Sequence, residues 1–310
     1  MHDHAHHPGR DADRRWLLGA LALIVAFMAA EIVAGLLAHS LVLISDAGHM
    51  LTDAVALGIV VIAARIARRP AQGAYTYGYV RVDALSGQAN GITLILLAVW
   101  FTVESIRRLL HPGDVAGGVV TVVALVGLVV NLAATMLVTR ADRTSLNVRG
   151  AVAHLVTDVW AFAATFVAGL VILLSGWSRA DAIASLCVAA LMAWTGGSLV
   201  RAAGRVFLEA APPGLDPHLL GTALAAIEGV REVHDLHIWQ IGPGEPAVSA
   251  HVLVQPPFDC HEVSGRLREL LARGYGISHV TLQADHADAP THLADDCADA
   301  HGEVHISPSS

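Results

Sequence analysis

Six long apolar segments fill the first two thirds of this chain and decide most of what it can fold into. They lie near residues 16–38, 41–64, 83–106, 115–138, 149–174 and 181–203. Each matches the roughly 20 residues an α-helix needs to cross a bilayer. Inside hydrocarbon every backbone N–H and C=O must be satisfied within its own segment, so such runs read as membrane helices. The connections at 38–41 and 174–181 are short, which makes spans 1–2 and 5–6 tight antiparallel pairs. Charged residues make up only 15% of the chain, too few to cover a soluble surface of this size. No small-residue cleavage site follows the first run, so it reads as a retained span and not as a secretory signal.

The basic residues orient these spans. Arg10, Arg14 and Arg15 precede span 1; Arg65, Arg68, Arg69 and Arg81 fall between spans 2 and 3. Arg140 and Arg143 fall between spans 4 and 5 with Arg149 at the start of span 5, and Arg201 and Arg205 lie at the end of span 6. The other side has Arg107, Arg108 and Arg179. The positive-inside rule therefore puts both termini in the cytoplasm. All 19 basic residues are arginine, which with the alanine richness suggests a GC-rich bacterial source. The expected setting is a bacterial inner (plasma) membrane, with lipid around six spans. A net charge of −8 and the lack of a basic stripe exclude a nucleic-acid partner. Cys187, Cys260 and Cys297 are far apart and form no C-x-x-C pair, so no disulfide framework or thiolate zinc ribbon is expected.

The chain divides into four parts: a His-rich tail (1–15), the six-span domain (16–207), a soluble domain (208–286) and a polar tail (287–310) expected to be disordered. In the soluble part, Pro212, Pro213 and Gly214 mark a linker. Residues 216–227 read as a helix with Asp216 as N-cap and Pro217 at the first helical position. Residues 233–241 and 247–254 read as strands joined at 242–244, residues 259–273 as an amphipathic helix, and residues 277–283 as a third strand. The expected fold is a compact α+β domain with helices on one face of a small sheet.

Two spans carry the same polar pattern. Span 2 contains Ser45-Asp46-Ala47-Gly48-His49-Met50-Leu51-Thr52-Asp53, and span 5 contains His154-Leu155-Val156-Thr157-Asp158. Residues four apart on a helix share a face, so each span offers an imidazole beside a carboxylate. Two such spans facing each other supply two nitrogens and two oxygens, a tetrahedral set for a zinc-type ion. A carboxylate at mid-span costs about 2.5–3.5 kcal/mol on the insertion scale, so these groups need a partner, and a divalent cation is the simplest. Ligands must shed protons to bind metal, and histidine exchanges protons near neutral pH, so metal and proton compete for one site. Glu31, Asn90 and Asn131 are expected to make interhelical hydrogen bonds. Glu104 is expected to pair locally with Arg107 or Arg108.

The two motifs, with Val233-His234-Asp235-Leu236-His237-Ile238-Trp239, give a chain that resembles the cation diffusion facilitator family, in its zinc-transporter branch, over about residues 15–285. The resemblance implies a homodimer of six-span protomers, each with a ferredoxin-like, metallochaperone-like cytoplasmic domain, exporting Zn2+ in exchange for protons. It also implies a transport site of His49, Asp53, His154 and Asp158. In the cytoplasmic domain it favours His234, His251 and Asp285 as metal ligands, with His261 nearby. Strict strand alternation puts His234 and His237 on opposite faces, so only one of them is expected at a given site. The loop between spans 2 and 3 has no His, Asp, Glu or Cys, so no metal site is expected there.

Two other classes compete. A membrane metal sensor would report occupancy of the intramembrane site through the soluble domain, but no kinase, cyclase or DNA-binding segment is present. An intramembrane metalloenzyme would want His-Glu-x-x-His and an open coordination position, and that string is absent. The chain is therefore read as a carrier and not as an enzyme.

Overall fold

The computed structural model describes residues 9–37, 41–111, 117–140, 146–242, 244–287 and 302–308. Within its helices, the side chains of residues 9–14, 31, 34–37, 41–53, 119 and 146–147 lie outside the description. The chain forms two compact units, Met1–Gly204 and Arg205–Ser310.

The first unit is a bundle of six long helices: α1 (Gly9–Leu37), α2 (Leu41–Ala67), α3 (Val82–Leu110), α4 (Gly117–Val138), α5 (Leu146–Ser175) and α6 (Arg179–Phe207). All six correspond to the apolar segments of the sequence. The shortest, α4, has 22 residues and is about 33 Å long at the usual helical rise. Among the described residues, four helices are long and apolar enough to cross a membrane, and α1 and α2 contribute shorter apolar stretches, Arg15–Ala30 and Ala54–Ala67.

The bundle is inside out relative to a soluble protein. On α3 the buried side carries Ala84, Gly87, Gly91, Leu94 and Ala98, at spacings of three and four. Its opposite side exposes Leu96, Val99, Trp100 and Val103. Trp160 on α5 and Trp194 on α6 are likewise exposed, the latter at 80%. An apolar shell this extensive is stable against lipid and not against water. Hydroxyls within the helices bond back to their own backbone, Thr102 to the Ala98 carbonyl and Thr121 to that of Gly117, both at 2.7 Å. The low-dielectric surroundings demand that internal satisfaction.

Local polar contacts follow the sequence in part. Arg108 pairs with Glu104 at 3.0 Å one turn away, as expected, and also reaches Asp181 at the start of α6 at 3.2 Å. Among the described residues the Asn131 amide makes no bond across helices; it donates to the Gly127 carbonyl in its own helix at 3.2 Å. Asn90 is buried beside Gly150 of α5, and its amide nitrogen has no hydrogen-bond partner among the described residues. Gly87 of α3 and Gly150 of α5 come close there. Glu31 and Asp46 have side chains outside the described residues.

The second unit is the α+β domain: α7 (Pro217–Ala225), β1 (Val230–Gly242), β2 (Glu245–Val254), α8 (Cys260–Tyr275), β3 (His279–His286) and β4 (His305–Ile306). Asp216 caps α7, accepting from the His218 and Leu219 N–H groups, with Pro217 opening the helix as expected. Asp259 caps α8 the same way, and the N–H of Glu262 is the main cause holding its carboxyl below the ordinary value. The sheet order is β3-β2-β1-β4, with β1 antiparallel to both β2 and β4, and β2 parallel to β3 through the α8 crossover. Val248, Ala250, Val252 and Val254 alternate along β2 and face a core of Val233, Ile238, Leu220, Leu224, Val263, Leu267 and Leu271. Both helices thus cover one face of the sheet, and the other face is polar.

Two expectations are corrected here. The composition of the tail after residue 286 predicts disorder, yet residues 302–308 return to the sheet and β4 pairs with the edge of β1. A two-residue strand gives no periodic signal in sequence. His234 and His237 were expected on opposite faces. A bulge between them resets the register, so that His234 pairs with His251 and His237 with Ser249, on the same face. Asp235 takes up the extra residue at φ 51°, a left-handed conformation that Asp tolerates better than most side chains.

Leu267 is fully buried beneath the sheet. Leu267→Ala is expected to destabilise the second unit by about 2–5 kcal/mol, read as faster hydrogen exchange of the β2 amides with α3–α6 unchanged.

Candidate metal centre

His154 and Asp158 lie one turn apart on the inner side of α5, His154 buried and Asp158 largely so. His154 Nε2 stands 3.7 Å from Asp158 Oδ2, an ion-pair distance longer than a hydrogen bond. Two ligand atoms about 2.0–2.1 Å from a tetrahedral zinc stand about 3.3 Å apart. The observed spacing is therefore close to what a shared cation would set. Thr157 between them donates to the Ala153 carbonyl at 2.8 Å, so its hydroxyl is used within the helix.

Packing fixes the neighbours of this pair. Leu155, Ala151 and Val148 of α5 share one buried cluster with Ala54, Leu57 and Val60 of α2, and with residues of α1 and α4. Ala54 directly follows Asp53, and Leu155 directly follows His154, so α2 and α5 meet at the level of the two motifs. His49 and Asp53 belong to α2, and their side chains lie outside the described residues.

Helix α4 seals the other flank. The Phe162 ring, one turn past Asp158, occupies the space that a Cβ on Gly127 would fill, and Gly169 meets Thr121 further along. Following this antiparallel contact by one turn brings Asn131 level with Asp158. Asn131 is fully buried and its Oδ1 accepts no hydrogen bond among the described residues. Sequence reading missed that placement, because it depends on α4–α5 register and not on any motif.

In the second unit, the polar sheet face carries His234, His237 and His251. The His234 and His251 rings meet edge to face with centroids 5.5 Å apart. His234 Nδ1 lies 3.1 Å from Glu232. Asp235, raised by the bulge, stands 2.9 Å from His237 Nε2 and 3.9 Å from His251 Nε2. Asp285 belongs to the same face, since it pairs with Leu253 two residues beyond His251, and it accepts from Gln283 at 3.0 Å. His261 sits exposed in the first turn of α8. Among the described residues, only His218, Glu303 and His305 bring three ligand atoms within 4.8 Å of one another, so His234, His251, Asp285 and His261 are not gathered into one set.

Fold and site together define a multi-span membrane protein with an intramembrane imidazole–carboxylate centre and a separate α+β domain. Residues 17–208 match the cation efflux transmembrane domain, and residues 212–287 match the cation efflux protein cytoplasmic domain. The chain belongs to the cation efflux family. It is 34% identical to the zinc transporter ZitB of Pectobacterium atrosepticum, over 92% of this chain and 89% of that protein. It is equally similar, at 34%, to the cadmium, cobalt and zinc/H(+)-K(+) antiporter of Bacillus subtilis, over 91% of each chain. It is also 34% identical to the metal cation efflux system protein CzcD of Cupriavidus metallidurans, over 94% of this chain and 93% of that one. The solved metal-bound C-terminal domain of that CzcD transporter is 32% identical, covering 23% of this chain and 99% of that structure with a TM-score of 0.22.

Gly127→Leu drives a side chain into Phe162. It is expected to weaken the α4–α5 contact by about 1–3 kcal/mol, read as a lower Tm of the detergent-solubilised chain than for Gly118→Leu, whose site is open.

Proposed function

We propose that this protein exports zinc, or a closely similar divalent transition-metal cation, from the cytoplasm in exchange for protons. The transport site is His49 and Asp53 of α2 with His154 and Asp158 of α5. The observation that carries this reading is the buried His154–Asp158 pair, spaced for a shared cation on a helix that packs against α2 at its matching motif. The names of the similar transporters and antiporters support the same chemistry.

The mechanism follows from competition for four ligand atoms. With the site open to the cytoplasm, the protonated ligands give up their protons as the metal ion takes their place, which leaves ionised carboxylates and neutral imidazoles around it. Metal occupancy neutralises the buried carboxylates, which otherwise are costly in a membrane interior. On the far side, protons take the same atoms and release the metal. Protonated ligands then supply the neutralisation for the return. Alternating exposure needs only that α2 and α5 move together, because all four ligands ride on them.

The arginine asymmetry supports cytoplasmic termini, and the bacterial transporters to which the chain is similar support an inner-membrane setting. The domain assigned as cytoplasmic supports a homodimer. His234 and His251 on its polar face form the core of an accessory metal site, to which Asp285 and His261 come only with rearrangement.

Asp158→Ala is expected to abolish zinc uptake by inside-out vesicles under an imposed proton gradient; undiminished uptake would remove Asp158 from the site. His49→Asp trades a nitrogen for an oxygen and is expected to shift selectivity away from zinc towards cadmium. Metal competition in the same vesicles checks this, and an unchanged preference would put His49 outside the coordination shell.

A further inference from the structure

The C-terminal segment comes back to the sheet carrying two metal-type ligands. β4 pairs with β1 through Val233↔His305 and Glu232↔Ile306, and the Ser307 N–H donates to the Arg231 carbonyl at 3.0 Å. This register turns His305 inward, where it is 6% exposed. Its imidazole lies against Gly221 of α7, in space that any Cβ at that position would occupy. Three residues earlier on α7, His218 faces it with ring centroids 5.6 Å apart. Glu303 completes the group, its Oε2 lying 2.8 Å from His218 Nδ1.

Apolar burial does not explain why the segment docks. Val304 and Ile306 are 49% and 66% exposed, and the buried side chains of the segment are His305 and Ser307. A two-residue edge strand with its aliphatic groups in solvent gains little from the hydrophobic effect. The His218–Glu303 contact is exposed on both sides, and exposed ion pairs stabilise weakly. What remains is a buried imidazole, a second imidazole and a carboxylate with ligand atoms within 4.8 Å of one another. Two histidines and one glutamate are a familiar three-ligand set for zinc, with a fourth position left for water.

We propose that His218, Glu303 and His305 bind a divalent transition-metal ion of zinc-type chemistry, and that this ion fastens residues 302–308 to the sheet as its fourth strand. Because two of the three ligands are on the returning segment, binding and docking are one event. The segment then follows the metal level in its compartment, independently of the ion in the bundle. Gly221 belongs to the device, since only a residue without a Cβ leaves room for the His305 ring.

The test uses the full-length chain in detergent, stripped with a chelator and then titrated with zinc. Hydrogen exchange of peptides covering 302–308 is followed by mass spectrometry, with bound zinc counted per chain. Zinc is expected to slow exchange of that segment at least tenfold. His218→Ala and Glu303→Gln, both at exposed positions that leave the core intact, are expected to weaken this response at least about tenfold, the lower end of the loss seen on removing even an outer partner of a metal ligand. Each is also expected to lose one bound zinc per chain. His154→Ala is expected to keep the response, which separates this site from the bundle. Zinc-independent exchange in the wild type, an unaltered response in His218→Ala and Glu303→Gln, or its loss in His154→Ala would each overturn the proposal.

Discussion

Burying an imidazole beside a carboxylate in a helix bundle surrounded by lipid is the constraint on which the rest of this molecule depends. Neither group is stable there as an isolated charge, so each needs a partner close by. His154 Nε2 and Asp158 Oδ2 stand 3.7 Å apart on one turn of α5. The tight α4–α5 contact, in which Phe162 fills the space above Gly127, holds that turn in place. The shared cluster of Ala54, Leu57, Ala151 and Leu155 keeps α2 alongside.

The two units solve different physical problems with different residues. In the bundle, small residues such as Gly87, Gly91 and Ala98 mix with buried aliphatics such as Leu94 and Leu155 on the inner side, while Trp100, Trp160 and Trp194 are exposed, because association there relies on close packing and not on the hydrophobic effect. In the α+β unit the usual order holds: Leu267 and Leu271 are buried, and the charged groups lie on the polar sheet face and the outer side of α8. Metal-type ligands collect on that sheet face and at the sheet edge. The edge cluster also covers part of an otherwise open strand, which a sheet must protect in some way.

The six spans were legible because each is long, apolar and bounded by charge, and the elements of the α+β unit because their caps and alternation are local signals. Asp216, Pro217 and Asp259 announce their helices several residues ahead. The proximity of His154 to Asp158 was legible because helical spacing alone puts both groups on one face. What escaped the sequence depends on register. The bulge at Asp235 converts an alternating pattern into three histidines on one face, and no residue type in that stretch demands it. The return of His305 to the edge of β1 follows from pairing across more than seventy residues, which no local periodicity encodes. The same holds for Asn131, whose level beside Asp158 is set by how α4 lies on α5.

The central claim is that metal and protons exchange at a single site. It is tested most directly in sealed proteoliposomes that hold a pH-sensitive dye and a zinc-sensitive dye, with zinc added outside. The account predicts that zinc entry is accompanied by protons leaving, so both signals move together. It also predicts that an opposing pH gradient stops both. Zinc entry with no change in internal pH, or proton movement that continues unaltered without zinc, would contradict it.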